Sequence, residues 1–246
     1  MRAGSNTAFA VACVFCIAML GGCDSGKNAG APSASPSVTP STTSPSPSAS
    51  PSPTPSPSAS ASPAKANTTP CGSASAKHLI RFRVYVQPGL ATTAAAFRDD
   101  VRAILCHPRG WIASGVVRFA YSPNASLLIG LRSARETERR CQRLIHSSVN
   151  YLYSCGTPKE EVINADRWFG GAPWGWAPRA GYRQMLISHE TGHAMYLNHQ
   201  VCERDGDLGA VMMQQSKGMT SPNGKTCRRN PYPLASELRR LARTLG

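Results

Sequence analysis

The chain has 246 residues with 27 Lys and Arg against 13 Asp and Glu, a formal net charge of +14. That length allows one or two domains. The positive charge is dispersed and no nucleic-acid recognition motif accompanies it, so nucleic acid is not an expected partner. Anionic wall polymers or phospholipid head groups suit such a surface better, although a basic surface also serves solubility alone.

Met1-Arg2 followed by an apolar run from Ala8 to Leu20 reads as a signal peptide over residues 1–22. The run is short for a permanent membrane span. It ends in Leu20-Gly21-Gly22-Cys23, which resembles a bacterial lipobox, with Cys23 as the lipidated new N-terminus. Ordinary cleavage without lipid is the alternative and would give a secreted protein. Residues 31–63 are almost entirely Ser, Pro, Ala and Thr, with ten prolines. No core can form from such residues, so residues 23–70 are expected to be a lipidated N-terminus followed by a disordered linker. At about 3.1 Å per residue it could reach roughly 100 Å from a membrane.

Residues 71–246 are expected to form one domain, and it carries 24 Lys and Arg against 12 Asp and Glu. Its six cysteines are an even set, which in an exported protein suggests three disulfides. Proximity in the chain favours Cys141–Cys155 and Cys202–Cys227, leaving Cys71–Cys106. None has Cys-x-x-Cys spacing, which argues against a thiolate zinc site.

Lys77–Val86 alternates, with Ile80, Phe82, Val84 and Val86 on one side, and predicts a half-buried strand. Thr92 or Thr93 caps a predicted helix running to about Cys106, with Phe97, Val101, Ile104 and Leu105 as its apolar face. Gly115–Tyr121 and Ser126–Leu131 follow as strands. Residues 133–149 read as a solvated, partly helical segment. Asn150–Cys155 and Glu161–Asn164 read as short strands around a Gly156-Thr157-Pro158 turn. The stretch Arg167–Trp176 is rich in aromatics, Gly and Pro. It either borders a substrate cleft or packs its own tryptophans. His78, His107 and His146 have no partner spacing that suggests a ligand.

A helix beginning near Gly181 or Tyr182 carries His189-Glu190-Thr191-Gly192-His193. Residues four apart share a helix face, so His189 and His193 can present two imidazoles to one ion with Glu190 beside them. If the helix stops soon after His193, the chain can bring in His199 as a third ligand. A fourth position is then left for water, as in catalytic rather than structural zinc sites. Pro233 is well placed to open a last amphipathic helix, Pro233–Leu245.

His189-Glu190-x-x-His193 with His199 resembles the extended zincin motif of the metzincins, and Met212 or Met213 lies where that clan keeps its Met-turn. More closely, the domain resembles the DUF3152 family of exported actinobacterial proteins of unknown function. That resemblance rests on Pro108-Arg109-Gly110-Trp111, Val162-Ile163-Asn164 with Arg167-Trp168, His189-Glu190-x-Gly192-His193, Val211-Met212-Met213-Gln214-Gln215 and Asn230-Pro231-x-Pro233. It implies an α+β, metzincin-like zincin domain: a mixed twisted sheet with an active-site helix and a C-terminal helix. It further implies one Zn2+ held by His189, His193 and His199, with Glu190 as general base and the Met-turn as an apolar floor.

The extended motif expects glycine at position 196, where this chain has Tyr196. A tyrosine at positive φ costs roughly 1–2 kcal/mol, so the turn is expected either to take another route or to weaken the third ligand. The expected activity is an extracytoplasmic zinc peptidase that acts as a monomer. Its substrate would be a protein or peptide, including cell-wall peptides. A silent zincin-fold binding module and a peptidoglycan amidase are the alternatives.

Overall fold

The computed structural model describes residues 66–246. The signal peptide, Cys23 and the Ser/Pro-rich stretch up to residue 65 lie outside the described residues. Strand β1, His78–Val86, is the spine of a five-stranded sheet. Phe82 is fully buried, and Ile80, Val84 and Val86 pack against the same core, as the alternation predicts. Helix α1, Ala94–Leu105, starts where the Thr93 hydroxyl accepts the N–H of Ala96. Such a cap is worth about 1 kcal/mol. Phe97, Val101 and Leu105 are its buried face, and Phe97 meets Trp168 edge to face at 5.1 Å.

Strands β2, Val117–Tyr121, and β3, Leu127–Arg132, both run parallel to β1. Parallel neighbours ordinarily need a long crossover, yet only residues 122–126 join these two. The register explains this. β2 pairs with His78–Phe82 and β3 with Phe82–Val86, on opposite edges of β1, so the chain steps across at the level of Phe82. The Ser122 N–H bonds to the Phe82 carbonyl and the Arg83 guanidinium to the Ala125 carbonyl, which fixes the step.

Helix α2, Ala134–Ile145, leads to the two-residue strand β4, Cys155–Gly156, and to β5, Glu160–Asn164. The sheet order is β2-β1-β3-β5-β4, with only β4 antiparallel to its neighbour. Residues on β5 alternate between two clusters. Ile163 joins the main core, while Val162 packs with Cys141 of α2. Helix α2 therefore covers the face opposite the main core.

The strand expected over Asn150–Cys155 is reduced to Cys155 and Gly156. Asn150 and Tyr151 have φ of 54° and 58°, a left-handed pair that no strand accommodates. The buried Glu138 carboxylate accepts the N–H groups of Val149 and Tyr151 and holds that loop. Arg167–Trp176 also differs from a plain loop, because Ala165–Gly170 form helix α3, capped by the Asn164 side chain. Trp168 and Trp176 are buried in the core, so this stretch packs its own tryptophans.

Helix α4, Arg179–Ala194, begins two or three residues earlier than its apolar stripe suggests. Nearly every residue from Tyr182 to Gly192 is buried, because α1, the β4–β5 edge and the segment near residue 212 enclose it. Helix α5, Ala235–Leu245, closes the domain with Leu241 buried. It starts at Ala235, so Pro233 precedes the helix rather than opening it. The Cys71–Cys106, Cys141–Cys155 and Cys202–Cys227 disulfides are formed. Among the described residues no helix is long and apolar enough to cross a membrane.

Candidate metal centre

The end of α4 decides whether His199 can reach the other histidines. Helix geometry stops at Ala194 and Met195, and Tyr196 then takes φ 65°. The Leu197 N–H returns to the Gly192 carbonyl at 2.9 Å and the Tyr196 N–H to the His193 carbonyl at 3.0 Å. These are the paired bonds of a Schellman ending, with Tyr196 in the left-handed place that glycine usually holds. The turn thus keeps the route of the glycine-bearing motif. Tyr196 points outward, 68% exposed, while Met195 and Leu197 on either side are buried in the core.

His199 is carried back so that its Nε2 lies 3.1 Å from His193 Nε2. Ligand atoms of His189, His193 and His199 all fall within 4.8 Å of one another. Two nitrogens on a tetrahedral zinc stand about 3.3 Å apart for bonds of about 2.0–2.1 Å, a spacing that the His193–His199 pair already matches. The outer ring nitrogens are spoken for. His189 Nδ1 bonds to the Val211 carbonyl at 2.8 Å and His193 Nδ1 to the Leu197 carbonyl at 2.9 Å. A carbonyl only accepts, so each Nδ1 carries the proton and each Nε2 keeps its lone pair.

Electrostatics point the same way. Burial, then the neighbouring His193, holds His189 down to about 3. Desolvation and His193 hold His199 down to about 4, and burial lowers His193. Three neutral imidazoles converge on a point with no carboxylate among them, a donor set that suits zinc. Glu190 is buried and pushed well above the ordinary carboxylate range, first by burial and then by its neighbour Glu161. It shares a cleft of about 340 Å³ with the three histidines.

Of the two methionines, Met212 is the one beneath the helix. It is fully buried in the main core, and a Cβ on Gly192 would stand 2.2 Å from its sulfur. Glycine at 192 leaves the room that the Met212 side chain occupies against the helix. Met213 belongs to a separate small cluster with Cys202, Ala210 and Cys227. Gly156 permits a second close approach, since a Cβ there would stand 2.5 Å from the Glu190 carbonyl oxygen.

One participant escapes sequence reasoning. Glu237 of α5, fully buried, accepts the N–H of Val211 at 2.9 Å and of Met212 at 2.8 Å. It also accepts the Leu234 N–H at 2.8 Å and the Gln200 side-chain amide at 3.3 Å. A chain of bonds therefore runs from Glu237 through the Val211 peptide to the His189 ring. The only sequence signal was a glutamate at the third position of a helix, a common half of a capping box. The Pro108–Trp111 signature is also tied to α4, as the Trp111 indole donates to the Ser188 carbonyl at 2.8 Å. His107 stacks on Tyr232 at 4.6 Å, and His146 closes α2 at φ 52°. Neither belongs to the group formed by His189, His193 and His199.

The family profile described as "Protein of unknown function (DUF3152)" matches residues 58–235. Among solved structures, the chain is similar to archaemetzincin from Methanopyrus kandleri. The two are 14% identical with a TM-score of 0.41, over 68% of this chain and 96% of that one. No curated protein matches the chain.

Proposed function

The chain belongs to the DUF3152 family, whose description leaves its activity open, and from the geometry of the centre we propose that it is a zinc-dependent peptidase. The observation that carries this reading is the convergence of the His189, His193 and His199 rings, with ligand atoms within 4.8 Å of one another, beside a buried glutamate on one cleft. His189, His193 and His199 would hold the ion. Zinc at such a site supplies Lewis-acid polarisation and makes water acidic enough to react near neutral pH.

Glu190 is the residue placed to move the proton. As water adds to the scissile carbonyl, the Glu190 carboxylate takes the proton that the water loses. As the C–N bond breaks, the same carboxyl returns that proton to the departing amine, which leaves a carboxylate and an amine as products. The apolar neighbours Met185 and Leu186 line the same cleft and limit access of bulk water. The Nδ1 bonds to Val211 and Leu197 hold the imidazoles in one orientation through the cycle.

The three disulfides are consistent with an extracytoplasmic protein. We place it there as a lipoprotein anchored through Cys23, with the Ser/Pro-rich stretch as its tether and exported proteins or wall peptides as substrates. The test is to measure zinc content and peptide cleavage for the purified chain and for Glu190→Gln. One equivalent of zinc in both is expected, with a fall in cleavage of at least about a hundredfold in the variant. A chain that binds no zinc, or a variant of undiminished activity, sinks the reading.

A further inference from the structure

The cleft beside the centre is chemically lopsided. Apart from the three histidines and Glu190, the described side chains lining it are neutral except for Lys217. Serines 147, 148, 154 and 216 with Asn150 give it hydroxyl and amide groups, and Met185 and Leu186 an apolar floor. Among the described residues Lys217 has no carboxylate within ion-pair distance. Its ammonium instead lies 5.4 Å from the Tyr153 ring centroid, itself part of the cleft wall.

Lys217 also stands on a fixed base. It ends the 3-10 turn Gln215–Lys217, whose Gln215 is fully buried. The Gln215 amide donates to the Ala210 and Asn230 carbonyls at 3.0 and 2.8 Å. The Trp174 indole donates to the Gln215 carbonyl at 3.0 Å, and Tyr182 of α4 bonds the Ser216 hydroxyl at 2.9 Å. The lysine stem moves, but its root is held from three directions.

We propose that the cleft selects peptides bearing a carboxylate close to the scissile bond, with Lys217 as the group that recognises it. This rests on the peptidase reading above. A single flexible ammonium is a point charge matched to one carboxylate. Phosphate sites ordinarily add an arginine fork or a helix N-terminus, and neither lines this cleft. The carboxylate is either an acidic side chain or a free C-terminus, and both present the same group to Lys217.

The test separates binding from turnover by using the zinc-loaded Glu190→Gln chain. Fluorescence anisotropy measures its affinity for labelled alanine peptides, blocked at both ends, in which one Glu, Gln or Lys is walked along the sequence. A further Gln series carries a free C-terminal carboxylate. At its best position the Glu peptide, or the free-carboxylate peptide, is expected to bind about five- to tenfold tighter than blocked Gln, with the gap shrinking in salt. Which of the two gains more identifies the source of the carboxylate. Lys217→Met should erase the gap, and Lys217→Glu should make the Lys peptide the tightest. Both variants alter an exposed side chain, so the fold is kept. Equal affinities for Glu and Gln at every position overturn the proposal. So does a preference that survives Lys217→Glu, or the failure of every peptide to bind. If the preference is present but wild type cleaves nothing, the peptidase reading falls and carboxylate recognition stands; cleavage without preference does the reverse.

Discussion

Tyr196 is where sequence and structure meet most directly. The sequence shows a residue ill suited to the turn, and the structure shows the turn made anyway, at φ 65° with the ring in solvent. An exposed ring gains little from its surroundings, so the left-handed strain is offset elsewhere. The buried neighbours Met195 and Leu197 and the two return bonds to Gly192 and His193 supply that offset. Tyr196→Gly should therefore stabilise the protein. The strain relieved is about 1–2 kcal/mol, and the added freedom of the unfolded chain takes back about 0.5–1 kcal/mol. A net gain of roughly 0.5–1 kcal/mol is expected by denaturant titration, with zinc affinity unchanged within about twofold because the ligand positions stay the same. A loss of stability, or a marked rise in zinc affinity, would show that the tyrosine does something other than tolerate the turn.

At the level of elements, the helix holding His189, Glu190 and His193 is legible in sequence, and its supports are not. His189, Glu190 and His193 follow from helical spacing, and α1 from its Thr93 cap and apolar face. Helix α3 and the left-handed pair Asn150–Tyr151 are missed because each depends on one side chain reaching the backbone, Asn164 in the first case and Glu138 in the second. Glu237 is missed for a related reason, since its partners Val211 and Met212 lie more than twenty residues away in the chain. It joins α5 to the Val211–Met212 segment and, through Gln200, to the segment after His199. Removing the carboxylate strands buried N–H groups, each worth about 1–3 kcal/mol. Glu237→Ala should cost at least about 3 kcal/mol on that basis. Glu237→Gln keeps the shape and one acceptor oxygen, so it should fold, yet lose about ten- to a hundredfold in zinc affinity as the Val211 carbonyl drifts from His189. Competition with a chelator measures the affinity, and circular dichroism checks the fold. Wild-type zinc affinity in Glu237→Gln would reduce Glu237 to a cap for α5.

For the whole molecule, the sequence does not reveal the strand order. Parallel partners are chosen by how Phe82 is shared between β2 and β3, and no local pattern encodes that sharing. The same assembly buries a charge-bearing group that no motif announces. Glu161 of β5 is fully buried against α4, accepts the Thr191 hydroxyl at 2.9 Å, and has no partner for its other oxygen. Burial raises its carboxyl from 4.5 to about 8. The folded state therefore holds a proton that the unfolded state releases above about pH 4.5, and stability must fall as pH rises. The contribution is fully present below pH 4.5 and lost as pH rises towards and through about 8. At about 1.4 kcal/mol per pH unit, the loss amounts to a few kcal/mol across that window. Glu161→Gln keeps an oxygen for Thr191 and cannot ionise. Melting curves at fixed zinc content should thus converge for wild type and variant at pH 4.5, then diverge up to pH 8 with the variant the more stable. Parallel curves across that range would mean that Glu161 is charged in the fold, and that an unrecognised cation or water answers its free oxygen.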